Sequence, residues 1–252
     1  MSAGHSVAII SHKEPNEEWA TGLSLSTDGH FILVISDPPS HAAPEYADST
    51  LITENKLGFG GARRMSMLLA AEFGNKCLVT DGDGQYPLAA IQQIQSRLEE
   101  SSAEIIIPQR KSRVIWLDRQ GKRIDRLPFE RFETICASEY LGVDIDSSFD
   151  AQPGAFGFRK QVLSDILPTG DDWLADWEIT VNALESCKYE TVEVSTNTES
   201  QDETSFTWED QIQKFRRLHE YLEADIQTVF RSNWGRFDLT ERELIEDMLN
   251  EL

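Results

Sequence analysis

The chain has 252 residues, a formal net charge of −21, 40% hydrophobic residues and 27% charged residues. This length and apolar content are enough for one large domain, or two closely joined halves, and argue against wholesale disorder. The negative charge repels nucleic acid and anionic lipid, so binding to either is disfavoured. No apolar run approaches the ~18 residues of a membrane span, and the N-terminus lacks a signal-peptide pattern. We therefore expect a cytoplasmic protein without a transmembrane segment.

Cysteine and histidine usage excludes two further classes of site. The three cysteines lie far apart and do not show metal-ligand spacing, which argues against a disulfide framework and a structural zinc site. The five histidines form no close pair, which argues against a zinc hydrolase.

Short apolar strands alternate with helices over the first 110 residues. Strands are predicted at 7–10, 31–35, 51–53, 77–80 and 105–107, and helices at 17–25, 58–70 and 87–98. This alternation predicts an α/β fold, with a Rossmann-type, mostly parallel sheet flanked by helices. Ligands bind beyond the carboxyl ends of the strands in such sheets, and the polar clusters of this sequence follow strand ends.

The second half is less regular. Residues 111–149 are predicted to be rich in loops, with one helix at 129–141. A strand at 154–158, a helix at 173–186 and a strand at 190–194 follow, and then helical spacing over 208–230 and 240–252. Thr240 and Glu243 have the spacing of a capping box at the start of the last helix. We expect these C-terminal helices to pack on the rest of the chain or to form the interface of a homo-oligomer.

A basic stretch interrupts the acidic sequence. Eight cations and three acids lie between Arg110 and Arg131. Such a stretch in an acidic protein indicates either a local anionic ligand or a solvated loop.

An acidic loop, Asp81-Gly-Asp83-Gly-Gln85, follows the strand at 77–80. Two carboxylates one residue apart can hold one divalent cation such as Mg²⁺ or Mn²⁺, which take oxygen ligands and bridge diphosphates. The alternative is a polar turn, because Asp-Gly is a common turn pair. A helix–loop–helix calcium site is excluded, since Tyr86 and Gln92 stand where it needs Gly and Glu.

Six separated blocks resemble, in order, the family 2 glycosyltransferases. The blocks are 7–18 (VAIISHKEPNEE), 31–37, 54–62 (ENKLGFGGA), 77–87 (CLVTDGDGQYP), 149–163 (FDAQPGAFGFRKQVL) and 173–194. The block at 77–87 is most similar to the dolichyl-phosphate mannose synthase branch. The resemblance covers about residues 5–200 and implies the GT-A fold. It also implies metal-dependent transfer of a sugar from a nucleotide-diphosphate sugar to an acceptor hydroxyl, with inversion at the anomeric carbon.

The resemblance assigns the metal to the acidic loop. Asp83 is the expected ligand of Mg²⁺ or Mn²⁺, Asp81 binds the ribose or shares the ion, and Gln85 completes or supports the metal shell. A bound metal and nearby cations would stabilise the charge that develops on the leaving diphosphate.

Donor-binding residues are carried over from the other blocks. Asp37 and Glu17 are expected to hold the base or ribose, although Asp37 also fits a turn-capping residue before Pro38. Gly58, in the glycine-rich segment, is assigned to the same donor site.

The remaining donor contacts lie further along the chain. Arg110, after the strand at 105–107, is expected to pair with a phosphate, with Arg131 and Arg159 as weaker candidates. Gly154 permits close approach of the backbone to the donor sugar, which Asp150 contacts.

The catalytic base is assigned to the acidic segment at 171–178. The family's catalytic carboxylate falls on Asp176, with Ala175 in place of the usual Glu, and Glu178 is the second candidate. A carboxylate among tryptophans is partly desolvated, which favours its use as a general base. The alternative is a solvated helix start, where acids are common.

The sequence also departs from the family. A cation-containing loop that helps relatives to bind diphosphate is replaced by 198–205, which carries no cation. This loop and Ala175 keep one alternative open, a catalytically silent nucleotide-sugar-binding protein of the same fold. A sugar nucleotidyltransferase, which shares the sheet and the metal chemistry, is the second alternative. We expect a glycosyltransferase domain over 1–205, divided into a nucleotide-binding half (5–110) and an acceptor half (111–205), and a helical tail over 206–252. The acceptor is left open among a polyprenyl phosphate, a glycan and a small molecule.

Overall fold

The fold is taken from a computed structural model of the chain, which describes residues 4–11, 16–35, 44–53, 57–111, 116–197 and 206–252. Strands and helices alternate as predicted. The strands are β1 His5–Ser11, β2 Gly29–Ile35, β3 Ser49–Ile52, β4 Lys76–Asp81, β5 Ile105–Arg110, β6 Trp116–Arg119, β7 Lys122–Asp125, β8 Ala155–Arg159 and β9 Tyr189–Val194. The helices are α1 Glu17–Ser26, α2 Gly58–Phe73, α3 Leu88–Glu100, α4 Leu127–Leu141, α5 Leu163–Ile166, α6 Ala175–Ser186, α7 Trp208–Tyr221, α8 Ile226–Ser232 and α9 Leu239–Leu249.

The described strands form a seven-stranded sheet in the order β3-β2-β1-β4-β8-β5-β9. All neighbours are parallel except β8, which runs antiparallel to both β4 and β5. The carboxyl ends of β4 and β5 therefore share one edge of the sheet with the start of β8. The expected mostly parallel α/β sheet is confirmed.

The chain divides into two compact units. Residues 1–112 and 153–200 form the first, which contains the sheet, and residues 113–152 and 201–252 form the second. The stretch 206–252, expected to be a helical tail that packs on the rest of the chain or forms an oligomer interface, belongs to the same unit as α4 and the hairpin of β6 and β7.

The core of the first unit is formed by the central strands and the helices beside them. Val7, Leu33, Leu78 and Ile106 are buried in one cluster with Ile91 of α3. Burying a side chain of this size stabilises the fold by roughly 1.5–3 kcal/mol, which explains why the apolar runs form the interior strands.

The second unit has an aromatic core and internal ion pairs. Phe132 makes edge-to-face contacts with Phe215 and Phe230, with ring centroids 5.5 and 5.4 Å apart. The basic stretch supplies several of the ion pairs: Arg119 with Asp247 and Glu251, Arg126 with Glu130, and Arg131 with Glu241. These three arginines offset acids of their own unit, which neither the anionic-ligand nor the solvated-loop interpretation anticipated.

Two sequence expectations in the second unit are wrong. The hairpin of β6 and β7 lies where loop was predicted; its turn places Gln120 and Gly121 at φ 57° and 81°, respectively. The capping box of α9 is formed by Asp238 and Glu241, because Leu239 is already helical. Thr240 and Glu243 therefore lie inside the helix and do not cap it.

The helical run predicted over 208–230 is interrupted. The chain leaves the helical conformation between Tyr221 and Ile226, which separates α7 from α8. Within the ranges that the structure describes, we find no helix with the length and apolar character needed to cross a bilayer.

Candidate active site

Several chemically important side chains of the first unit lie at the edge where β4 and β5 end. Asp81 is the last residue of β4, Arg110 is the last of β5, and Gly154 immediately precedes β8. Asp176 lies in the first turn of α6. The sheet topology thus brings together residues from four separate parts of the sequence.

Arg63 of α2 connects these groups, and sequence analysis missed it. Its side chain is fully buried, and its Nε and Nη2 donate to the two carboxylate oxygens of Asp176 at 2.7 and 3.0 Å. The same Nη2 donates to Asp81 Oδ1 at 3.0 Å and to the Gly154 carbonyl at 3.2 Å. Burial disfavours the guanidinium charge, but Asp176 and Asp81 outweigh it and raise the pKa of Arg63. The clue in the sequence was an arginine on the buried face of a helix, directly after the block at 54–62.

Asp81 lies in a crowded negative environment. Burial, Asp176 and Asp83 raise the pKa of the Asp81 carboxyl to about 7, against the opposing effect of Arg63 and Arg110. A Cβ atom at Gly154 would lie 3.2 Å from Asp81 Oδ2, and Gly154 has φ +78°. The missing side chain therefore leaves space beside that oxygen.

Asp83 belongs to a well-anchored turn. Its Oδ1 accepts from the Gln85 backbone N–H at 2.9 Å, so the turn interpretation of this loop is correct as far as it goes. Further hydrogen bonds fix the turn, among them Gly82 N–H to the Ile10 carbonyl, Asn197 N–H to the Gln85 carbonyl, and Trp19 Nε1–H to the Tyr86 carbonyl. The Asp83 side chain is accessible to solvent, yet surrounding protein atoms desolvate it enough to raise its pKa.

Arg110 supplies a second positive charge. It is half-buried at the end of β5. Its positive charge opposes the rise in the pKa values of Asp81 and Asp83. The pairing of Arg110 with a phosphate, expected from the sequence, stays a prediction.

Glu178 and Gly58 lie at the contact between α2 and the loop before α6. Glu178 Oε2 accepts from the backbone N–H groups of Thr169 and Gly170 at 2.6 and 3.2 Å. Gly58 has φ +71°, and a Cβ there would lie 2.3 Å from the Asp171 carbonyl oxygen. Glu178 therefore ties this loop to α6, and Gly58 permits the close approach of α2 to it, structural roles that the sequence did not indicate.

Other candidates are placed elsewhere in the first unit. Glu17 is exposed at the start of α1, next to the N-cap Asn16, whose backbone N–H donates to the Gly82 carbonyl. Arg159, in β8, lies opposite Lys76 in the β4–β8 ladder, at the opposite end of β4 from Asp81. Its guanidinium donates to three backbone carbonyls. Arg159 is therefore not at the edge that holds Asp81.

Two candidates lie in the second unit. Asp150 is buried and accepts from the Gln152 backbone N–H at 3.2 Å, and Arg131 is paired with Glu241. Asp37 and the segment 198–205 fall outside the described residues.

The side chains at this edge supply only part of the ligand set of a divalent cation. Among the residues that the structure describes, no group of three or more Asp, Glu, His and Cys side chains gathers as a metal site. Asp81 Oδ2 borders the space left by Gly154, and Asp83 is accessible, so two carboxylates are available at this edge. Mg²⁺ commonly binds in this way, with one or two carboxylates and with substrate phosphates and water completing the shell.

Comparison with known proteins identifies the fold. No protein-family model matches the sequence, and no curated protein matches it. Among solved structures, glucosyl-3-phosphoglycerate synthase from Mycobacterium tuberculosis, in complex with Mn²⁺, UDP and phosphoglyceric acid, is 12% identical with a TM-score of 0.60. The match covers 87% of this chain and 78% of that chain. Mannosyl-3-phosphoglycerate synthase from Rubrobacter xylanophilus is 14% identical with a TM-score of 0.56, over 93% of this chain and 76% of that one.

Likeness at these identities establishes the fold and leaves the finer assignment to the dolichyl-phosphate mannose synthase branch as a prediction. The chain has the GT-A fold of the glycosyltransferases, in agreement with the expectation from its six sequence blocks.

Proposed function

We propose that the chain transfers a sugar from a nucleotide-diphosphate sugar to an acceptor hydroxyl, with inversion, at the carboxyl edge of β4 and β5. The observation that carries the proposal is the grouping of Asp81 and Asp83 with the two positive charges of Arg63 and Arg110. Ligands of open α/β sheets bind at this edge. The mycobacterial neighbour, which was solved in complex with Mn²⁺ and UDP, has the same fold.

The proposal assigns Mg²⁺ or Mn²⁺ to Asp83 and Asp81, with Gln85 supporting the shell. When bound there, the cation would stabilise the negative charge that develops on the leaving diphosphate. Asp81 Oδ1 is occupied by Arg63, which leaves Oδ2 for this purpose.

The donor contacts follow from the same placement. Arg110 is positioned to balance the phosphate charge, because its guanidinium already acts on both carboxylates of the acidic loop. Gly154 leaves room for the donor beside Asp81. The roles predicted for Glu17, Asp37 and Gly58 at the nucleotide, and for Asp150 at the sugar, remain part of the proposal on the ground of the sequence resemblance.

Asp176 is proposed as the general base. Both of its oxygens accept from Arg63, but each carboxylate oxygen has a second lone pair that can accept the proton of a hydroxyl. Glu178 is the weaker choice, because its Oε2 holds the backbone N–H groups of Thr169 and Gly170.

The test is release of nucleoside diphosphate from a panel of UDP-, GDP- and dTDP-sugars with Mn²⁺. We expect Asp83→Asn to lose about 100-fold or more of the turnover. The matched control is Asp146→Asn, because Asp146 makes the same side-chain contact to the backbone N–H two residues on, at 2.8 Å from Ser148, in the second unit.

Three outcomes would contradict the proposal. Binding of UDP with Mn²⁺ without turnover of any donor would show a silent binding protein. Formation of a nucleotide sugar from a nucleoside triphosphate and a sugar phosphate, with release of pyrophosphate, would show a nucleotidyltransferase. Equal loss in Asp83→Asn and Asp146→Asn would remove the acidic loop from the mechanism.

A further inference from the structure

The side chain of Arg63 joins the two carboxylates to which the proposed reaction gives different tasks. It contacts Asp81 at the end of β4, Asp176 at the start of α6 and the carbonyl before β8. We infer that Arg63 is a positioning residue, which holds the donor-side carboxylate Asp81 and the proposed base Asp176 at a fixed separation. This inference rests on the proposed function.

The geometry of the contacts supports a role in orientation. Nε and Nη2 engage the two oxygens of Asp176 side by side, an arrangement that fixes the plane of the carboxylate as well as its distance. Nη2 reaches Asp81 Oδ1 from the same guanidinium plane. A displacement of one carboxylate is therefore passed to the other through a single rigid group.

The surroundings hold the guanidinium itself in place. The ring of Phe59 lies 5.1 Å from Arg63 Cζ and stacks on Trp173, with centroids 4.7 Å apart. Arg63 Nη1 is buried and has no hydrogen-bond partner within the described ranges. A fold that needed this arginine only for stability would gain little from it, because a buried ion pair is often no more stable than apolar residues of similar size.

Charge and geometry can be separated by substitution. The negative charges of Asp83 and Asp176 both act on Asp81 at this edge. Lysine at position 63 would keep the positive charge that offsets them. However, its single nitrogen cannot reproduce a planar fork across Asp176 and Asp81.

The experiment compares Arg63→Lys with Arg159→Lys. Arg159 is a comparable control, because its guanidinium makes three hydrogen bonds, against four for Arg63, and all three go to backbone carbonyls at the opposite end of β4. For each protein we would measure urea unfolding, the Kd of UDP with Mn²⁺, and kcat and KM for the best donor of the panel.

The inference predicts a split between binding and turnover. In Arg63→Lys the Kd of UDP with Mn²⁺ should change by no more than about threefold, while kcat falls about 100-fold, as expected for misplacement of a reacting group by about 1 Å. Arg159→Lys should lose stability but keep kcat per folded molecule within about threefold of wild type. Equal kcat in the two variants, or an increased KM with unchanged kcat in Arg63→Lys, would overturn the inference.

The remaining outcomes are separable. Wild type that neither binds UDP with Mn²⁺ nor turns over any donor overturns the proposed function and this inference together, whereas an active wild type with an unaffected Arg63→Lys overturns this inference alone. If Arg63→Lys does not fold, Arg63→Gln replaces it, because the amide keeps two N–H donors for the neighbouring carboxylates and leaves the proposed base Asp176 in place. Retained binding of UDP with Mn²⁺ and a loss of turnover would support positioning, and turnover above about a tenth of wild type would overturn it.

Discussion

Lys214, in α7, is completely buried and makes the stability of the second unit sensitive to alkaline pH. Its Nζ lies 3.2 Å from Glu133, which also accepts from Gln211 at 2.7 Å. Burial and the charge of Arg126 lower the pKa of Lys214 from 10.5 to about 8, although Glu133 and Glu130 oppose this. The unfolded chain therefore binds more protons than the folded chain between pH 8 and 10.5, and this lysine makes the protein more stable as the pH rises through that interval.

The size of the effect follows from the same two values. Each pKa unit is worth about 1.4 kcal/mol, so the full interval contributes about 3 kcal/mol.

The reference protein is Glu133→Gln/Lys214→Met, which removes both charges of the buried pair. Lys214→Met alone would be less stable than this pair variant by about 3–5 kcal/mol, because it leaves Glu133 buried without its cation.

The assay is urea unfolding at pH 7, 8, 9 and 10 for wild type and the pair variant. The difference between the two curves isolates Lys214, because the other titrating groups are common to both proteins. Wild type should gain stability relative to the pair variant above pH 8. Parallel curves over the whole range would refute the reasoning that burial of the charged amine dominates at this position.

Three shorter predictions test other features. Gly154→Ala places a Cβ beside Asp81 Oδ2 on a residue with φ +78°, which should lower the free energy of unfolding in urea by about 1–2 kcal/mol and weaken binding of UDP with Mn²⁺. Wild-type values for both would contradict the close approach. Asp238→Ala should destabilise the protein by about 1 kcal/mol and Thr240→Ala by less than about 0.5 kcal/mol, so a larger effect at Thr240 would restore the cap predicted from the sequence. With a net charge of −21, the unfolding midpoint in a thermal scan should rise between 0.05 and about 1 M NaCl, and a flat response would show that the repulsion is already balanced locally.

Local patterns in the sequence were sufficient to predict the strands of the sheet and the helices beside it. Apolar runs bounded by polar residues, Gly or Pro in the sequence mark β1, β2, β4 and β5, since each of these strands is buried. The acidic loop could be found for the same reason. Its two carboxylates are separated by a single residue, so their proximity in space needs no knowledge of the fold.

The parts that sequence analysis missed depend on contacts between distant residues. Arg63 and Asp176 are 113 positions apart, and only the packing of α2 beside α6 brings them together. The direction of β8 could not be predicted either, because an apolar strand has the same pattern in both directions. The cap of α9 was missed by two residues, as happens where two capping boxes overlap in one stretch of sequence.

The central position of β8 has a consequence for how the protein is made. Residues 155–159 form the strand between β4 and β5. A nascent chain of which only the first 110 residues have been synthesised therefore cannot yet join these two strands in one continuous sheet. Such pairing over long sequence separations slows folding. Expression of the first half alone would thus leave the edges of β4 and β5 without their shared neighbour, and such unpaired apolar edges promote aggregation.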